Sequence, residues 1–205
     1  MPRRDDNTGL GQTAVGCDHR RPRALAGMID RVSDEQQGPA DGVEHTDDGR
    51  YIVVGGRRWR ATDPSIPEKL RAELVRALMT GRREVKARGD AARVMVHDAK
   101  VALGERGDPW WEPTDEGTRQ RLEATIRTLL RSRGTGSICP SDAARVVGGE
   151  RWRDHMETAR SVAFELREKG VVAVTQKGRR VDGTDVSGPI RIVADNGLEF
   201  TPGNE

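Results

Sequence analysis

Residues 138–156 read ICPSDAARVVGGERWRDHM, and residues 171–192 read VVAVTQKGRRVDGTDVSGPIRI. In the first stretch, Pro140-Ser141-Asp142 is typical of a helix start with Ser141 as its cap, and Gly148-Gly149 predicts the turn that ends this helix. In the second stretch, two apolar runs typical of β-strands flank a long polar segment that contains glycine. A helix, a tight turn, a second helix and a strand pair in this order predict a winged helix-turn-helix.

The second helix of this unit is predicted from about Glu150 to Lys169, and Gly170 is expected to close it. Its apolar residues step by four, three, four and three positions, which places them on one stripe: Trp152, Met156, Ala159, Ala163 and Leu166. We therefore expect Trp152 to be substantially buried and residues 114–194 to fold alone.

Another helix is predicted just before this unit. Thr114 is suited to cap it, and Gly134 is expected to end it. Apolar residues recur at helical spacing and give it one apolar face: Leu122, Ile126, Leu129 and Leu130. The apolar pair Ile138-Cys139 then predicts a minimal strand.

The two quoted stretches resemble a small bacterial family of domains of unknown function, and the resemblance covers roughly residues 116–194. The phrases ICPSDAAR and TQKGR…GPIRI make it fairly specific. Members of that family look like short winged helices, so the resemblance implies this fold. It implies no activity, cofactor or catalytic residue.

A second unit is predicted over residues 49–113. Tyr51-Ile52-Val53-Val54, Gly55-Gly56 and Arg57-Arg58-Trp59-Arg60 are typical of a β-hairpin with a two-residue turn. A helix follows Pro67, with Leu70, Leu74 and Leu78 on one face and Gly81 expected to end or loosen it. A second helix is predicted over residues 90–103, and the pair Trp110-Trp111 is expected to lie against the hairpin and the helices.

Within this unit, residues 48–75 (DGRYIVVGGRRWRATDPSIPEKLRAELV) and 96–113 (VHDAKVALGERGDPWWEP) resemble a recurrent bacterial module. That module is often labelled a Tol-type biopolymer transporter component. A transporter component should carry a membrane segment, and this sequence has no apolar run near the roughly 20 residues that a membrane helix needs. The resemblance therefore implies kinship and no established activity.

The remaining segments, residues 1–48 and 195–205, lack apolar periodicity and are predicted to be disordered tails. Apolar residues make up 34% and charged residues 33% of the 205-residue chain, which is too polar for one large core without such tails. The fold class is therefore predicted as α+β, in two modules. Without a signal peptide or a membrane helix, we expect a cytoplasmic protein that does not contact a membrane.

No constellation typical of catalysis or of metal binding is found. Cys17-Asp18-His19 has no companion pair of ligands, and Cys139 is more simply interpreted as a small buried residue. His97 and Asp98 are neighbours in a predicted helix, so they point about 100° apart and do not face each other. We therefore predict no enzyme activity, no cofactor and no metal site.

Two functions remain, and the charge of the chain does not decide between them. The net charge is only +2, although residues 50–112 hold 14 basic and 9 acidic side chains. In a winged helix, the second helix of the motif enters a groove of the nucleic acid and basic residues of the wing contact phosphates. The candidate DNA- or RNA-binding residues lie off the apolar stripe or in the wing, which is the long polar segment between the two predicted strands: Arg151, Arg153, Arg160, Lys177, Arg179 and Arg180.

The alternative is a protein-interaction module that binds no nucleic acid, since a winged helix does not fix function. The predicted helix over residues 150–169 holds five basic and five acidic residues, and carboxylates such as Asp154, Glu157 and Glu165 would repel phosphates. We therefore expect any nucleic-acid binding to be weak and led by shape and charge. The sequence identifies no particular protein partner and no oligomeric state.

Overall fold

The computed structural model describes residues 44–184 and 186–198, apart from the side chain of Ala91. The tail predicted over residues 1–48 lies outside the described residues as far as residue 43. Its predicted end is wrong, because Glu44–His45 form strand β1, which pairs with the strand that follows. This short polar pair has no periodicity of its own and gains its extended form from the neighbouring strand.

Strands β2 (Tyr51–Val54) and β3 (Arg57–Arg60) form the predicted hairpin. Both glycines of the Gly55-Gly56 turn have positive φ angles, 58° and 73°, so the two-residue turn is confirmed. The antiparallel sheet has the order β1-β2-β3. The tryptophan pair packs on it as expected: Trp111 meets Tyr51 edge-on with ring centroids 5.6 Å apart, and the indole N–H of Trp110 donates to the Ala61 carbonyl.

Helices α1 (Glu68–Arg88) and α2 (Asp90–Ala102) follow the hairpin and pack against each other. The prediction that Gly81 ends or loosens the first helix is wrong, because α1 continues to Arg88. Gly81 is buried where the helices meet, and a methyl group there would lie 3.2 Å from Cγ2 of Val96. The residue therefore permits close approach of two helices and ends neither of them.

Helix α3 (Asp115–Arg133) has the predicted limits. The hydroxyl oxygen of Thr114 accepts a hydrogen bond from the backbone N–H of Gly117 at 3.0 Å, which caps the helix at its start. Gly134, with a φ of 57°, ends it.

The segment predicted as a helix-turn-helix departs from prediction at two points. Helix α4 (Pro140–Gly148) has Cys139 and not Ser141 at its cap position, where the Asp142 carboxylate accepts a hydrogen bond from the Cys139 N–H at 3.2 Å. The predicted long helix is divided: Gly149–His155 form a 3-10 helix, and α5 (Met156–Glu168) starts after it. Trp152 consequently lies outside the α-helix and is only half-buried at the edge of the core.

A second sheet contains β4 (Ser137–Ile138), β5 (Val172–Gln176), β6 (Arg179–Arg180) and β7 (Arg191–Ala194). Its order is β4-β7-β5-β6, and every pair is antiparallel. The polar segment between the two apolar runs is therefore not wholly a loop, because β6 pairs with β5 at its start.

The tail predicted from residue 195 starts too early. The backbone N–H of Asp195 donates to the Val171 carbonyl, and the N–H of Gly197 donates to the Gly170 carbonyl. Leu198 is only 5% exposed and belongs to the core. Residues 199–205 lie outside the described residues.

The fold is α+β, and one hydrophobic core runs through both predicted modules. Leu74 of α1 and Leu103 after α2 are fully buried in the same cluster as Leu122 and Ile126 of α3. Cutting the chain at residue 113 would expose leucines that α3 covers, so this shared core argues against independent folding of residues 114–194. None of the helices in the described ranges combines the length and apolar character needed to cross a bilayer.

Two buried ion pairs also connect α3 to the preceding module. Asp63 Oδ2 lies 2.8 Å from Arg121 Nη2, and Asp98 Oδ2 lies 2.5 Å from Arg131 Nη1. Arg121 also donates through Nε to the Ala102 carbonyl at 3.1 Å and through Nη2 to the Val146 carbonyl at 3.3 Å. Burial lowers the pKa of Arg121, and the charge of Asp63 opposes that shift only in part.

Asp63→Ala should therefore destabilise the protein by about 3–5 kcal/mol, because it leaves a buried guanidinium without its counter-charge. Urea unfolding of the full chain measures this change. The matched control is Asp90→Ala, which breaks the exposed Asp90–Arg93 pair and should cost no more than about 1 kcal/mol. Equal effects of the two substitutions would show that burial does not increase the contribution of the Asp63–Arg121 pair to the free energy of unfolding.

Gly149→Ala should destabilise the protein more than Gly134→Ala. Both glycines end a helix with nearly the same backbone, φ 53° and ψ −121° against φ 57° and ψ −113°. A methyl group at Gly149 would lie 2.9 Å from the Ser65 carbonyl oxygen, whereas one at Gly134 meets no atom within 4 Å. The difference in free energy of unfolding between the two variants isolates this contact, and identical losses would mean that backbone strain alone accounts for both.

Candidate nucleic-acid interface

Helix α5 and the segment between β5 and β7 form the surface on which the predicted binding residues lie. Strands β7 and β5 are the inner strands of the β4-β7-β5-β6 sheet, and α5 packs on β5 through its apolar residues. Those residues include the four members of the predicted stripe that fall on the helix, with Ala159, Ala163 and Leu166 fully buried and Met156 at the margin.

Arginines of α5 hold the segment after β6 against the helix. Arg160 donates through Nη1 to the Gly188 carbonyl at 3.1 Å and through Nη2 to the Val186 carbonyl. Arg167 donates to the carbonyls of Val181 at 3.1 Å and Gly183 at 3.0 Å. Arg160 therefore has a structural task that the sequence did not indicate. Arg167, which was not among the predicted residues, could have been noticed because it lies seven positions later and hence on the same helix face.

The solvent-facing side of α5 is acidic. It consists of residues at helical spacing, which we call the acidic face: Glu157, Ser161, Glu165 and Glu168. Glu165 accepts hydrogen bonds from Arg119 of α3 and from the Ser161 hydroxyl, and the Arg119 bond lowers the pKa of its carboxyl group. Arg167 approaches Glu168 only to 4.0 Å and bonds instead to carbonyl groups, so a phosphate backbone approaching this face would be repelled.

The turn between β5 and β6 presents the basic residues predicted for the wing. Lys177 and Gly178 form this tip turn, with φ angles of 50° and 78°. Lys177 and Arg179 are exposed, and neither has a carboxylate within ion-pair distance among the described residues. Arg180 is different, because it binds Asp195 at 2.9 Å while remaining 65% exposed. This contact raises the pKa of Arg180 and lowers that of Asp195.

Arg151 and Arg153 lie on the 3-10 helix that precedes α5, and both are exposed. The Trp152 ring between them in sequence contacts two guanidinium groups, those of Arg145 at 4.5 Å and Arg153 at 4.6 Å. Arg151 instead borders a cleft of about 740 Å³ that Trp110 also lines.

The six predicted residues therefore serve different roles. Arg160 and Arg180 are engaged by the protein itself, Arg153 stacks on Trp152, and Arg151 borders the cleft. Lys177 and Arg179 project from the tip turn.

The structure also shows the surroundings of His97, Asp98 and Cys139, which were considered from the sequence. His97 and Asp98 make different contacts, since Nδ1 of His97 lies 3.1 Å from Nη1 of Arg106 while Asp98 binds Arg131. Cys139 is half-buried with a free thiol, and Cys17 lies outside the described residues. In residues 44–184 and 186–198, no three His, Cys, Asp or Glu side chains cluster in a way that could hold a metal ion.

The comparisons with known proteins address the same segment. Residues 119–194 match the model of a protein family described as "Protein of unknown function (DUF3253)". The match runs from the first turns of α3 to the end of β7, so the predicted resemblance to a family of unknown function is confirmed for this domain. Comparison with curated proteins finds no match. The kinship inferred for residues 49–113 stays a prediction.

Acid should destabilise the protein through Glu165 and Asp195, whose pKa values are both lowered by arginine partners. A carboxyl group with a lowered folded-state pKa contributes stability above its unfolded pKa, about 4, and loses it as pH falls through the folded value. The melting temperature should thus be level between about pH 7 and pH 5 and should fall below about pH 4. Glu165→Gln should lower the melting temperature between about pH 7 and pH 5 and should reduce its further fall in acid. An unchanged acid limb in that variant would contradict the role given to Glu165.

Proposed function

We propose that this protein is a winged-helix protein that binds DNA or RNA weakly, through phosphate contacts made by the tip turn. The observation that carries the proposal is the exposure of Lys177 and Arg179 at the end of a two-stranded projection, with no carboxylate partner in the described part of the chain. Phosphate neutralisation supplies most of the affinity of non-specific nucleic-acid binders, so such a projection suits this task.

The connectivity supports assignment to the winged-helix class. A short strand, β4, lies between α3 and α4, and the pair β5 and β7 follows α5. In the sheet, β7 lies between β4 and β5, so the first strand joins the strand pair along one edge. Under this assignment α5 is the recognition helix, and residues 177–190 are the wing.

The contacts of α5 argue against base reading in a groove. Arg160 and Arg167 are committed to carbonyl groups of the wing, and the acidic face is the part of α5 that remains toward solvent. Bases are read by side chains that enter a groove, and entry here would bring three glutamates toward the phosphates. Binding should therefore be dependent on salt and nearly independent of sequence.

A second candidate is a protein-interaction role, and the acidic face favours it. Glu157 and Glu168 are exposed and have no short-range arginine partner comparable to Arg119 beside Glu165. A basic surface on a protein partner would complement this face. In this case the intact chain would bind polyanions feebly, and changes in the wing would have no effect.

The proposal is tested by a salt series with labelled duplex DNA and RNA. Changing Lys177 and Arg179 to Ala should weaken binding and reduce the slope of log affinity against log salt by about 0.9 for each lost duplex contact. Arg180→Ala should reduce the slope less, because Asp195 already neutralises that guanidinium. Fluorescence anisotropy with the full chain provides the measurement, and a circular dichroism melt checks the fold.

Glu157→Gln serves as the matched control on α5. If the tip turn alone contacts phosphates, this variant should bind nearly as the parent does. A marked gain in affinity would instead place the acidic face against the nucleic acid. Tight, sequence-specific binding that survives the loss of Lys177 and Arg179 would overturn the proposal and shift attention to Arg151 and Arg153.

A further inference from the structure

The β1-β2-β3 sheet has one face on which apolar, aromatic and basic side chains stand together. Residues paired directly across an antiparallel sheet share a face, and the pairs are His45 with Ile52, Ile52 with Trp59 and Val54 with Arg57. We call these five residues the hairpin face. Two side chains of this face are open to solvent: Trp59 is 49% exposed and Val54 is 51% exposed.

The opposite face of the same sheet is covered. Tyr51 packs against Trp111, and Arg58 stacks on the Tyr51 ring at 4.5 Å. Arg60 bonds to the carbonyls of Gly107 and Asp108 and lies 5.7 Å from the Trp111 ring. The aromatic residues of that face thus have ring partners within the fold. Among the described residues, the partner recorded for the Trp59 ring is the Arg57 guanidinium at 5.8 Å.

From this arrangement we infer that the hairpin face binds a single-stranded polynucleotide, with a base stacked on Trp59 and a phosphate held by Arg57. Base stacking on an exposed aromatic ring beside a basic track is the usual physical basis of single-strand binding. The hairpin face offers both an aromatic ring and a basic side chain. The apolar side chains of Ile52 and Val54, on the same face, suit contact with the edge of a stacked base.

Protection of a sheet edge does not explain the composition. Strand β3 is an edge strand, and charged side chains commonly keep such edges from pairing with other chains. This reason accounts for Arg57 and Arg58. It does not account for Trp59 and Val54, because exposed apolar residues on an edge increase the tendency to associate.

The charge of the hairpin favours an anionic partner. Among the described residues, Arg57 and Arg58 have no carboxylate within ion-pair distance. Asp48 interacts electrostatically with Arg58 but is already bonded to the Thr46 hydroxyl and to the Arg50 N–H, and these bonds lower the pKa of Asp48. A polynucleotide would bring the phosphates that these guanidinium groups lack.

A single strand fits better than a duplex. In a duplex the bases are stacked on one another and their faces are closed, so a protruding indole ring gains no stacking contact. An unpaired base has a free face, and every base has one, so the contact should tolerate any sequence. This inference goes beyond the tip-turn proposal and does not depend on it.

The test uses the full chain and fluorescein-labelled single strands of about 15 nucleotides, oligothymidylate and oligouridylate, with a duplex of the same length. Trp59→Ala should weaken single-strand binding by roughly tenfold, the loss expected from one stacked base, and Trp59→Phe should retain most of the affinity. Arg57→Ala should reduce the salt slope by about 0.7, the value for single strands, whereas Arg58→Ala, on the opposite face, should reduce it less. Duplex binding should be little changed in all four variants.

Arg93→Ala is the matched control, because it removes one exposed guanidinium from α2 and changes the net charge equally. It should bind single strands as the parent does. Thermal melts should remain unchanged for Trp59→Phe, which keeps that variant interpretable if Trp59→Ala loses stability. Parent affinity in both Trp59 variants would overturn the inference, as would a preference for duplex or an equal loss in the Arg93 control. Effects of the tip-turn substitutions on duplex binding bear only on the separate proposal above.

Discussion

The guanidinium of Arg121 is the point on which the arrangement of the chain depends. It binds Asp63 after the hairpin, the Ala102 carbonyl at the end of α2 and the Val146 carbonyl near the end of α4. One buried cation thus joins the segment before α1 and the end of α2 to α4. Because desolvation of such a cation is costly, the site is stable only while all its acceptors stay in place.

This constraint explains why the two predicted modules share a core. Helix α3 buries leucines against α1 and α2 on one side and against α4 and α5 on the other. Gly149 then turns the chain directly beside the Ser65 carbonyl, where no side chain would fit. The position of α4 and of the turn that follows it is therefore set by contacts with the preceding segment and helices as well as by the core around α5.

The same packing distributes charge unevenly over the surface. Arginines of α5 are drawn to carbonyl groups of the wing, which leaves glutamates on the exposed side of the helix. Basic side chains that have no acidic partner among residues 44–184 and 186–198 remain at the tip turn and on the hairpin. A surface of this kind suits contact with a polyanion through projections at the margins of the fold and disfavours docking of the central helix.

Local signals in the sequence were sufficient for the Gly55-Gly56 hairpin, for α3 between Thr114 and Gly134, and for the α+β class, because turns, caps and apolar periodicity act over a few residues. They failed at Gly81, whose role depends on Val96 of another helix, and at Glu44–His45 and Leu198, which gain their order from distant strands and from the core. The candidate site shows the same difference between features set by nearby residues and features set by distant ones. Basic residues could be located from the sequence, but whether a guanidinium was open, as at Arg179, or engaged, as at Arg160 and Arg180, depended on groups far away along the chain. Ion pairs and hydrogen bonds between distant segments form only when the backbone has brought them together, so the tertiary structure alone determined which charges face solvent.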